Sequence, residues 1–543
     1  MKLSLAGLKD KAGWEAAGIA VPSYDVEKVR ARTVEAPKWI HFGIGNIFRI
    51  FIGGIADTLL AEGNADTGIV CAEAFDYEIV DKIYEPYDNL GLCVTLHKDG
   101  SMEKRIIGSF AEAIKAKADD GMSWNRLKVI FKDPGLQMVS FTITEKGYGL
   151  TKMDGTYLGY VQSDMEKGPE APVGIMAIIA SMLLERFQAG AAPLALVSMD
   201  NCSHNGDLLK RSVLTIAGEW KKRGYVDEAF MDYINNPAKV SFPWTMIDKI
   251  TPRPGDFVQE ALAADGVEHM EIVVTDRRTY IAPFINAEGP QYLVVEDSFP
   301  NGRPALEKAG VYMTDRETVN KAERMKVTAC LNPIHTALAP YGRLLGYEYF
   351  ADLMSDPQLA VLAHQVGYAE GLPKVVDPGI FSPKAFLDEV ITERMPNKYL
   401  GDTNARICTD SSQGVGVRFG ETIKAYVKDC GTASQLEAIP LAIAGWLRYF
   451  YGIDDKGQPF ELSPDPLAEE LKKIVSQVPI GHPECLKDQI RPVLSNVGLF
   501  GIDLYEAGIG EKIERIFREE IAGCGAVRDT LKKYSGQAEG REA

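Results

Sequence analysis

A strand, a glycine turn and a helix follow one another near the amino terminus, and this order constrains the fold more than any other feature of the chain. Lys38 to Phe42 form a short apolar run, Gly43 and Gly45 follow it, and an apolar stretch of helical length continues to Leu60. A second apolar strand is predicted at 68–72. Because two parallel strands need a crossover of this kind, the pattern predicts a parallel sheet covered by helices.

The glycine turn has the position of a dinucleotide-binding site. Glycines that follow the first strand let backbone amides approach a pyrophosphate, which also gains from the positive end of the helix dipole. Arg49, in the first helical turn, is expected to contact phosphate, although Phe48 stands where the usual pattern has its third glycine. An ordinary strand-to-helix turn is the alternative. The candidate cofactor contacts are Gly43, Gly45, Asn46, Ile47, Phe48 and Arg49.

Glu73 ends the second predicted strand and is the candidate for binding a ribose. An acidic residue at this position accepts hydrogen bonds from the ribose hydroxyls and repels a 2′-phosphate, which favours NAD over NADP. Asp76 is the substitute if the strand ends later, and a surface carboxylate without a cofactor is the alternative. Thr144, at the end of a later predicted strand, completes the predicted cofactor contacts.

The remaining pattern divides the chain into two parts. Further strands are predicted at 127–131, 138–144 and 194–198, with a helix at 173–188; amphipathic helices are predicted at 437–451, 466–478 and 510–522. We therefore predict an α/β chain in which a Rossmann-type, mostly parallel sheet domain (1–305) is followed by a mainly α-helical domain (306–543).

Composition excludes several classes of protein. The 59 basic and 76 acidic residues give a formal charge of −17, which disfavours binding to nucleic acid or to an anionic membrane. The eight cysteines form no Cys-x-x-Cys pair, and no apolar run reaches about 18 residues, so we expect a cytoplasmic protein with reduced thiols. No His-Glu-x-x-His pattern is present, and we predict no metal site. A monomer or a small homo-oligomer is expected.

One segment gathers the side chains of proton-coupled carbonyl chemistry. It contains Glu323, Lys326, Asn332 and His335. A lysine serves as a base near neutral pH only if burial or neighbouring charge lowers its pKa from about 10.4, and an asparagine amide can stabilise an oxyanion without titrating. The segment predicts an alcohol/ketone reaction that needs no metal; solvated polar groups on a helix are the alternative.

Several ordered blocks of sequence carry a resemblance to a known family. They are 43–49 (GIGNIFR), 142–148 (TITEKGY), 198–206 (SMDNCSHNG), 242–252 (FPWTMIDKITP), 296–304 (EDSFPNGRP), and Glu323 with Lys326, Asn332 and His335. The chain resembles the polyol-specific long-chain dehydrogenases and reductases, the mannitol dehydrogenase family. This resemblance covers about residues 38 to 420 and implies a Rossmann-type domain, a helical domain and metal-independent hydride transfer at a secondary alcohol.

The resemblance also implies the roles of the residues that match the family pattern. Lys326 corresponds to the general base, Asn201 and Asn332 to the amides that stabilise the alkoxide, and His335 to the imidazole that orients the reacting oxygen. Glu323 is expected to relay the proton to solvent, with a simple ion pair on the helix as the alternative.

Four further residues are expected at the site. Asp248 falls where the family has a polar active-site residue, and Arg406, Arg394 and Asn205 are the candidate substrate contacts. Asn205 and Asp200 have an alternative function as braces of the turn after the strand at 194–198.

Two departures from the family pattern are visible. Asn332 follows Lys326 by six residues, where the family commonly has five, and one additional residue rotates the later part of a regular helix by about 100° unless a bulge absorbs it. Gly414 stands where the family usually has a lysine, eight residues after Arg406.

The predicted function is that of an NAD-dependent, metal-independent oxidoreductase that interconverts a keto-hexuronate and an aldonate, with D-fructuronate and D-mannonate as the expected pair. An arginine can bind the carboxylate of such a sugar acid through two hydrogen bonds. The alternatives are a mannitol or polyol 2-dehydrogenase, a tagaturonate reductase, an NAD-using sugar-acid epimerase, and a noncatalytic sensor of sugars or nucleotides.

Overall fold

The structure, a computed structural model, describes residues 1–152 and 154–535 and divides into two compact units. The first unit comprises residues 1–96 and 101–320, and the second comprises residues 97–100 together with the chain from Lys321 onward. The division after Asn320 falls later than the predicted boundary at residue 305, because strand and helix residues between the two positions pack on the first unit.

The strands lie in the first unit. They are β1 (Ile19–Ala20), β2 (Trp39–Phe42), β3 (Ile69–Glu73), β4 (Gly91–Leu96), β5 (Met102–Ile107), β6 (Phe110–Lys115), β7 (Met138–Phe141), β8 (Leu194–Ser198), β9 (Val240–Ser241), β10 (Thr245–Asp248), β11 (Val273–Val274), β12 (Tyr280–Ile281), β13 (Phe284–Glu288), β14 (Tyr292–Glu296) and β15 (Tyr312–Thr314).

A six-stranded sheet with the order β6-β3-β2-β7-β8-β9 forms the centre of this unit, and all of its pairs are parallel. The strands β2, β3, β7 and β8 are buried along their whole length, as expected for a sheet with helices on both faces. The predicted Rossmann-type sheet is confirmed. Smaller sheets are formed by β1-β5-β4-β13, by β10-β14-β15 and by the hairpin β11-β12.

The helices of the first unit are α1 (Lys11–Ala16), α2 (Val26–Glu35), α3 (Gly53–Ala61), α4 (Gly121–Lys132), α5 (Thr144–Tyr148), α6 (Gly159–Lys167), α7 (Ile175–Gln188), α8 (Asn205–Lys222), α9 (Glu228–Asn235) and α10 (Asp256–Ala264); α11 (Arg316–Met325) contains the division between the units. The helices of the second unit are α12 (Asn332–Leu345), α13 (Pro357–His364), α14 (Pro383–Glu389), α15 (Asn404–Ile407), α16 (Ser411–Val415), α17 (Glu421–Cys430), α18 (Ala438–Tyr449), α19 (Ala468–Val475), α20 (Arg491–Leu494), α21 (Val497–Phe500), α22 (Gly510–Glu520) and α23 (Ala526–Ser535).

Wide, π-helical turns interrupt or extend several of these helices. They span Phe48–Ile52, Val80–Tyr84, Lys326–Cys330, Gln365–Gly371, Val390–Arg394 and Gly416–Gly420. A turn of this kind closes with an i→i+5 hydrogen bond and holds one residue more than an α-helical turn.

The predicted strand at 127–131 is wrong, because these residues belong to helix α4. Asp120 caps this helix by accepting a hydrogen bond from the Ser123 amide at 3.2 Å. The buried side chains Trp124, Leu127, Ile130 and Phe131 recur with helical spacing and pack in the core beside the sheet. The short apolar run was therefore one stripe of an amphipathic helix.

The second unit is helical, as predicted. Helix α18 is buried along its whole length and packs against α12 and α22, so it forms the centre of this unit. No helix in the described residues has the length and hydropathy required to cross a membrane.

Candidate functional site

The glycine turn between β2 and the following helix depends on the conformation of Gly43. Gly43 has a φ of +89°, and a Cβ atom there would lie 2.1 Å from the carbonyl oxygen of Thr142. Only glycine fits this position. A Cβ atom on Gly45 would meet no atom within 4 Å, so the space beside this residue is open to a ligand.

A chain of hydrogen bonds that the sequence analysis did not predict supports this turn. Thr142 Oγ1 donates to the Gly43 carbonyl at 2.7 Å, and His41 Nε2 lies 2.9 Å from the same hydroxyl. The Ser140 hydroxyl lies 2.6 Å from His41 Nδ1 and accepts from Trp39 Nε1 at 2.7 Å. Burial lowers the pKa of His41 to about 3, so the ring is neutral, donates through Nε2 and accepts through Nδ1. The sequence gives one sign of these hydrogen bonds, which is the presence of polar residues in strands that are otherwise apolar.

Arg49 and Phe48 do not have the accessible positions expected of cofactor contacts. The Arg49 side chain is 1% exposed, and its guanidinium donates to Asn46 Oδ1 and to the Ala282 carbonyl, each at 2.8 Å. Phe48 is fully buried and stacks on His41 at 4.2 Å. Both residues lie in the wide turn Phe48–Ile52, which directs them into the core. The expectation that their side chains contact the cofactor is therefore wrong, whereas Asn46 and Ile47 remain partly exposed.

Glu73 ends β3, and its carboxylate links that strand to the glycine turn. One oxygen accepts from the Ile44 amide at 3.2 Å, and the other accepts from the amides of Ala74, Phe75 and Asp76. Burial raises the pKa of Glu73, and these hydrogen bonds oppose that effect. The substitute candidate, Asp76, is buried and accepts a hydrogen bond from the Thr275 hydroxyl at 2.6 Å.

Asp200 braces the loops that follow β7 and β8. Its carboxylate accepts from the amides of Ile143 and Thr144, both at 2.9 Å, and from the Tyr148 hydroxyl at 2.6 Å. Thr144 has a φ of +62° and an exposed side chain. Asn201 follows Asp200 directly and is exposed.

Asn205 has a structural function and not the expected contact with substrate. Its side chain is 0% exposed, and Nδ2 donates to the Asp200 carbonyl at 3.0 Å and to Thr245 Oγ1 at 2.8 Å. Oδ1 accepts from the Thr245 amide at 3.0 Å. Since donors and acceptor are engaged inside the core, the alternative interpretation of Asn205 as a brace is correct. Asp248 is the buried last residue of β10.

In the second unit, Lys326 opens the wide turn Lys326–Cys330 and is 2% exposed. The Leu331 amide closes the turn by donating to the Lys326 carbonyl at 3.1 Å, an i→i+5 bond. The additional residue between Lys326 and Asn332 falls in this segment, where a wide turn that holds one residue more than an α-helical turn is followed by the non-helical Leu331 (φ −132°, ψ −65°). The buried Thr422 hydroxyl donates to the Thr328 carbonyl at 3.1 Å and supports the turn.

Helix α12 begins at Asn332, and Pro333 occupies its first turn, where a missing amide proton costs nothing. Asn332, His335 and Thr336 lie at positions i, i+3 and i+4, so they share one face of this helix. The His335 ring is half-buried and packs edge-on against Phe350 at 4.8 Å. Glu323, three residues before Lys326, is also half-buried.

Three arginines of the second unit, Arg394, Arg406 and Arg418, differ in their surroundings. Arg394 is buried in the wide turn Val390–Arg394, with its guanidinium 6.0 Å from the Phe386 ring. Arg406 is exposed and forms an ion pair with Asp402. Arg418, which the sequence analysis did not select, lies over Gly414 and donates to Thr336 Oγ1 at 2.8 Å.

Among the described residues, no three His, Cys, Asp or Glu side chains are grouped in a way that could hold a metal ion.

Comparisons with known proteins agree over nearly the whole chain. Sequence models match residues 37–308 as a mannitol dehydrogenase Rossmann domain and residues 318–518 as a mannitol dehydrogenase C-terminal domain. A D-mannonate oxidoreductase from Thermotoga maritima is 52% identical over 99% of this chain and 100% of its own. A polyol:NADP oxidoreductase from Gluconobacter oxydans is 29% identical over 84% of this chain and 88% of its own.

Solved structures give the same result for the fold. Mannitol 2-dehydrogenase from Pseudomonas fluorescens, solved as a ternary complex with NAD and D-mannitol, superposes with a TM-score of 0.70 at 26% identity and covers 98% of this chain and 99% of its own. A D-sorbitol dehydrogenase in substrate-free form gives a TM-score of 0.77 at 24% identity, with 95% and 98% of the two chains covered.

Proposed function

The chain belongs to the mannitol dehydrogenase family, and we propose that it is an NAD-dependent oxidoreductase that interconverts D-fructuronate and D-mannonate. The observation that carries the choice of substrate is the 52% identity to a D-mannonate oxidoreductase along the full length of both chains. The buried Lys326, directly before a helix that presents Asn332 and His335 on one face, supports the chemistry.

The residues around the glycine turn fit a dinucleotide. The φ of Gly43 shapes the turn, and the open space beside Gly45 admits a pyrophosphate. Glu73, the acidic residue proposed to favour NAD over NADP, ends β3, and its buried carboxylate accepts hydrogen bonds from four backbone amides there. Bound NAD would supply the hydride acceptor for the secondary alcohol, and NADH the hydride donor in the reverse direction.

Side chains of the protein must accept the proton of the substrate and stabilise the negative charge that develops on its oxygen. In the oxidising direction Lys326 takes the hydroxyl proton, and Glu323 relays that proton to solvent. The amide groups of Asn332 and Asn201 donate hydrogen bonds to the substrate oxygen, and His335 orients it. Asp248, Arg394 and Arg406 remain proposed contacts at the site.

A panel of substrates tests this proposal. D-mannonate, D-altronate, D-mannitol, D-arabinitol and their keto partners would be assayed with NAD and NADP separately, with and without a chelator. We expect the highest kcat/KM with D-mannonate and D-fructuronate, a preference for NAD, and no effect of the chelator. Activity on neutral polyols alone would overturn the choice of substrate, and turnover without net NADH formation would indicate an epimerase.

The two glycines of the turn provide a matched pair of variants. Gly43→Ala should destabilise the fold by about 2 kcal/mol, because it places a Cβ at a positive φ and against the Thr142 carbonyl. Gly45→Ala should leave Tm unchanged, since no atom of the described residues would lie within 4 Å of the added methyl group, but should raise the KM for NAD by about tenfold as that group meets the pyrophosphate. Thermal melts and NAD titrations measure both effects. An unchanged KM for NAD in Gly45→Ala would contradict the cofactor site.

A further inference from the structure

Arg418 is a cation without an anionic partner in the described part of the chain. Its guanidinium makes one hydrogen bond, from Nη1 to Thr336 Oγ1. Nε and Nη2 donate to no protein acceptor among the described residues, yet they are not sealed from solvent. Burial lowers the pKa of Arg418, and no carboxylate in residues 1–152 or 154–535 opposes this effect. A partly buried guanidinium with free donors is a suitable receptor for an anion.

The position of Arg418 relates it to the residues of the proposed reaction. Its partner Thr336 shares a face of α12 with Asn332 and His335, and the turn Gly416–Gly420 that carries Arg418 packs against both α12 and the wide turn that begins at Lys326. The guanidinium therefore lies beside the face of α12 that carries Asn332 and His335, the residues proposed to bind the substrate oxygen.

Gly414 makes the space that the guanidinium occupies. A Cβ atom on this residue would lie 2.8 Å from both Cζ and Nε of Arg418. The φ of Gly414 is not in the left-handed region, so backbone conformation does not require glycine at this position. The clearance for Arg418 gives a reason for the glycine.

We propose that Arg418 binds the carboxylate of the sugar acid and thereby selects sugar acids over neutral polyols. This inference rests on the proposed function. In D-fructuronate the keto carbon and the carboxylate carbon are separated by four carbon–carbon bonds, about 5 Å when the chain is extended. The side chains at i and i+3 or i+4 on one helical face are also about 5 to 6 Å apart. A substrate whose keto oxygen is held by Asn332 and His335 can thus present its carboxylate to the guanidinium beside Thr336.

Steady-state kinetics of Arg418 variants test the inference. Arg418→Met should raise the KM for D-mannonate by about 10- to 100-fold, with the KM for NAD unchanged, because a charged pair of hydrogen bonds to substrate is lost. The ratio of kcat/KM for D-mannonate to that for D-mannitol, which lacks the carboxylate, should fall by a similar factor. Arg418→Lys should recover part of the loss, since it keeps the charge but not the planar fork.

A second variant keeps the arginine and moves it. Gly414→Ala forces the guanidinium away from its position and should also raise the KM for D-mannonate while NAD binding stays intact. Lys424→Met, which removes a partly exposed charge paired with Glu421 on α17, should change none of these values. Thermal melts of all variants separate a loss of folding from a loss of recognition.

The outcomes also separate this inference from the proposed function. If the wild-type protein oxidises D-mannonate and Arg418→Met does so with an unchanged KM and an unchanged ratio to D-mannitol, the assignment of Arg418 is overturned while the proposed function stands. If the wild-type protein turns over neutral polyols and no sugar acid, both are overturned.

Discussion

Replacement of Lys326 by methionine is expected to lower kcat for the oxidation of D-mannonate by about 10³-fold. Methionine keeps the apolar stem of this buried side chain, so the fold and the wide turn should persist, whereas the amine that takes the substrate proton is lost. The KM for NAD should change little, because the residues proposed to bind NAD are elsewhere in the sequence. Rapid-mixing measurement of NADH formation would report the chemical step directly.

Arg324→Met is a suitable control for this experiment. Arg324 is a long cation two residues earlier, on α11, and it is about half exposed where it pairs with Glu421. Its replacement should leave kcat within a factor of about two, since exposed ion pairs contribute little. A Lys326→Met enzyme that kept more than about a tenth of the wild-type kcat would exclude Lys326 as the base.

Replacement of Glu520 by glutamine is expected to abolish a pH-dependent loss of stability. In the wild type, ionisation of Glu520 should lower the free energy of unfolding by about 4 kcal/mol between pH 5 and pH 9, and the glutamine variant should not show this loss. Glu520 lies at the end of α22 and is 0% exposed, and burial raises the pKa of its carboxyl to about 8. The group is therefore neutral in the folded protein at pH 7 but ionised in the unfolded chain.

Hydrogen bonding around Glu520 supports the neutral form independently. The Tyr341 hydroxyl lies 2.6 Å from Glu520 Oε1 and 2.8 Å from the Leu441 carbonyl, yet it carries a single proton. Both contacts are hydrogen bonds if Tyr341 donates to Leu441 and the protonated carboxyl of Glu520 donates to Tyr341. If Glu520 were ionised, Tyr341 could donate its single proton either to the carboxylate or to the Leu441 carbonyl, and the other oxygen would lose its hydrogen bond inside the core.

The sign of the effect is set by linkage. Because the folded pKa exceeds the unfolded value of 4.5, the stability contributed by Glu520 is fully present below about pH 4.5 and is lost as the pH rises through about 8. The glutamine of the Glu520→Gln variant cannot ionise. The free energy of unfolding of the variant minus that of the wild type should therefore increase from pH 5 to pH 9.

Thermal melts in steps of pH would measure this effect. Glu511→Gln, an exposed position on the same helix, should show no such trend and provides the matched control. A difference in Tm between Glu520→Gln and the wild type that stays constant over the pH range would show that Glu520 does not titrate in this way.

The sequence was sufficient to predict those strands and helices whose pattern is visible in consecutive residues. The strands β2, β3 and β8 and the helices α7, α18 and α22 were predicted within one or two residues, because each is a clear periodic or apolar run between turn residues. The run at 127–131 was assigned wrongly because a short apolar segment looks alike in a buried strand and in one stripe of a helix.

Side-chain directions and distant partners were beyond prediction from the sequence. The sequence places Arg49 in the first helical turn, where a phosphate contact is expected, but the wide turn at Phe48–Ile52 points its guanidinium toward Ala282, a residue far along the chain. Asn205 has its partner Thr245 forty residues away. Arg418 is an ordinary charged residue in the sequence, and the fact that no anionic side chain in the described residues pairs with it becomes visible only when its neighbours in space are known. The roles of Lys326, Asn332 and His335 stay predictions until variants are measured.

The wide turn at Lys326–Cys330 has a consequence for how such enzymes vary in evolution. A one-residue insertion in a regular helix would rotate the proposed amide donor by about 100° relative to the proposed proton acceptor, yet a turn closed by an i→i+5 bond and followed by the non-helical Leu331 can take up the added length. The number of residues between two functional side chains can therefore change without the loss of either side chain. Searches that require a fixed interval between the two side chains would therefore discard homologues with intact chemistry.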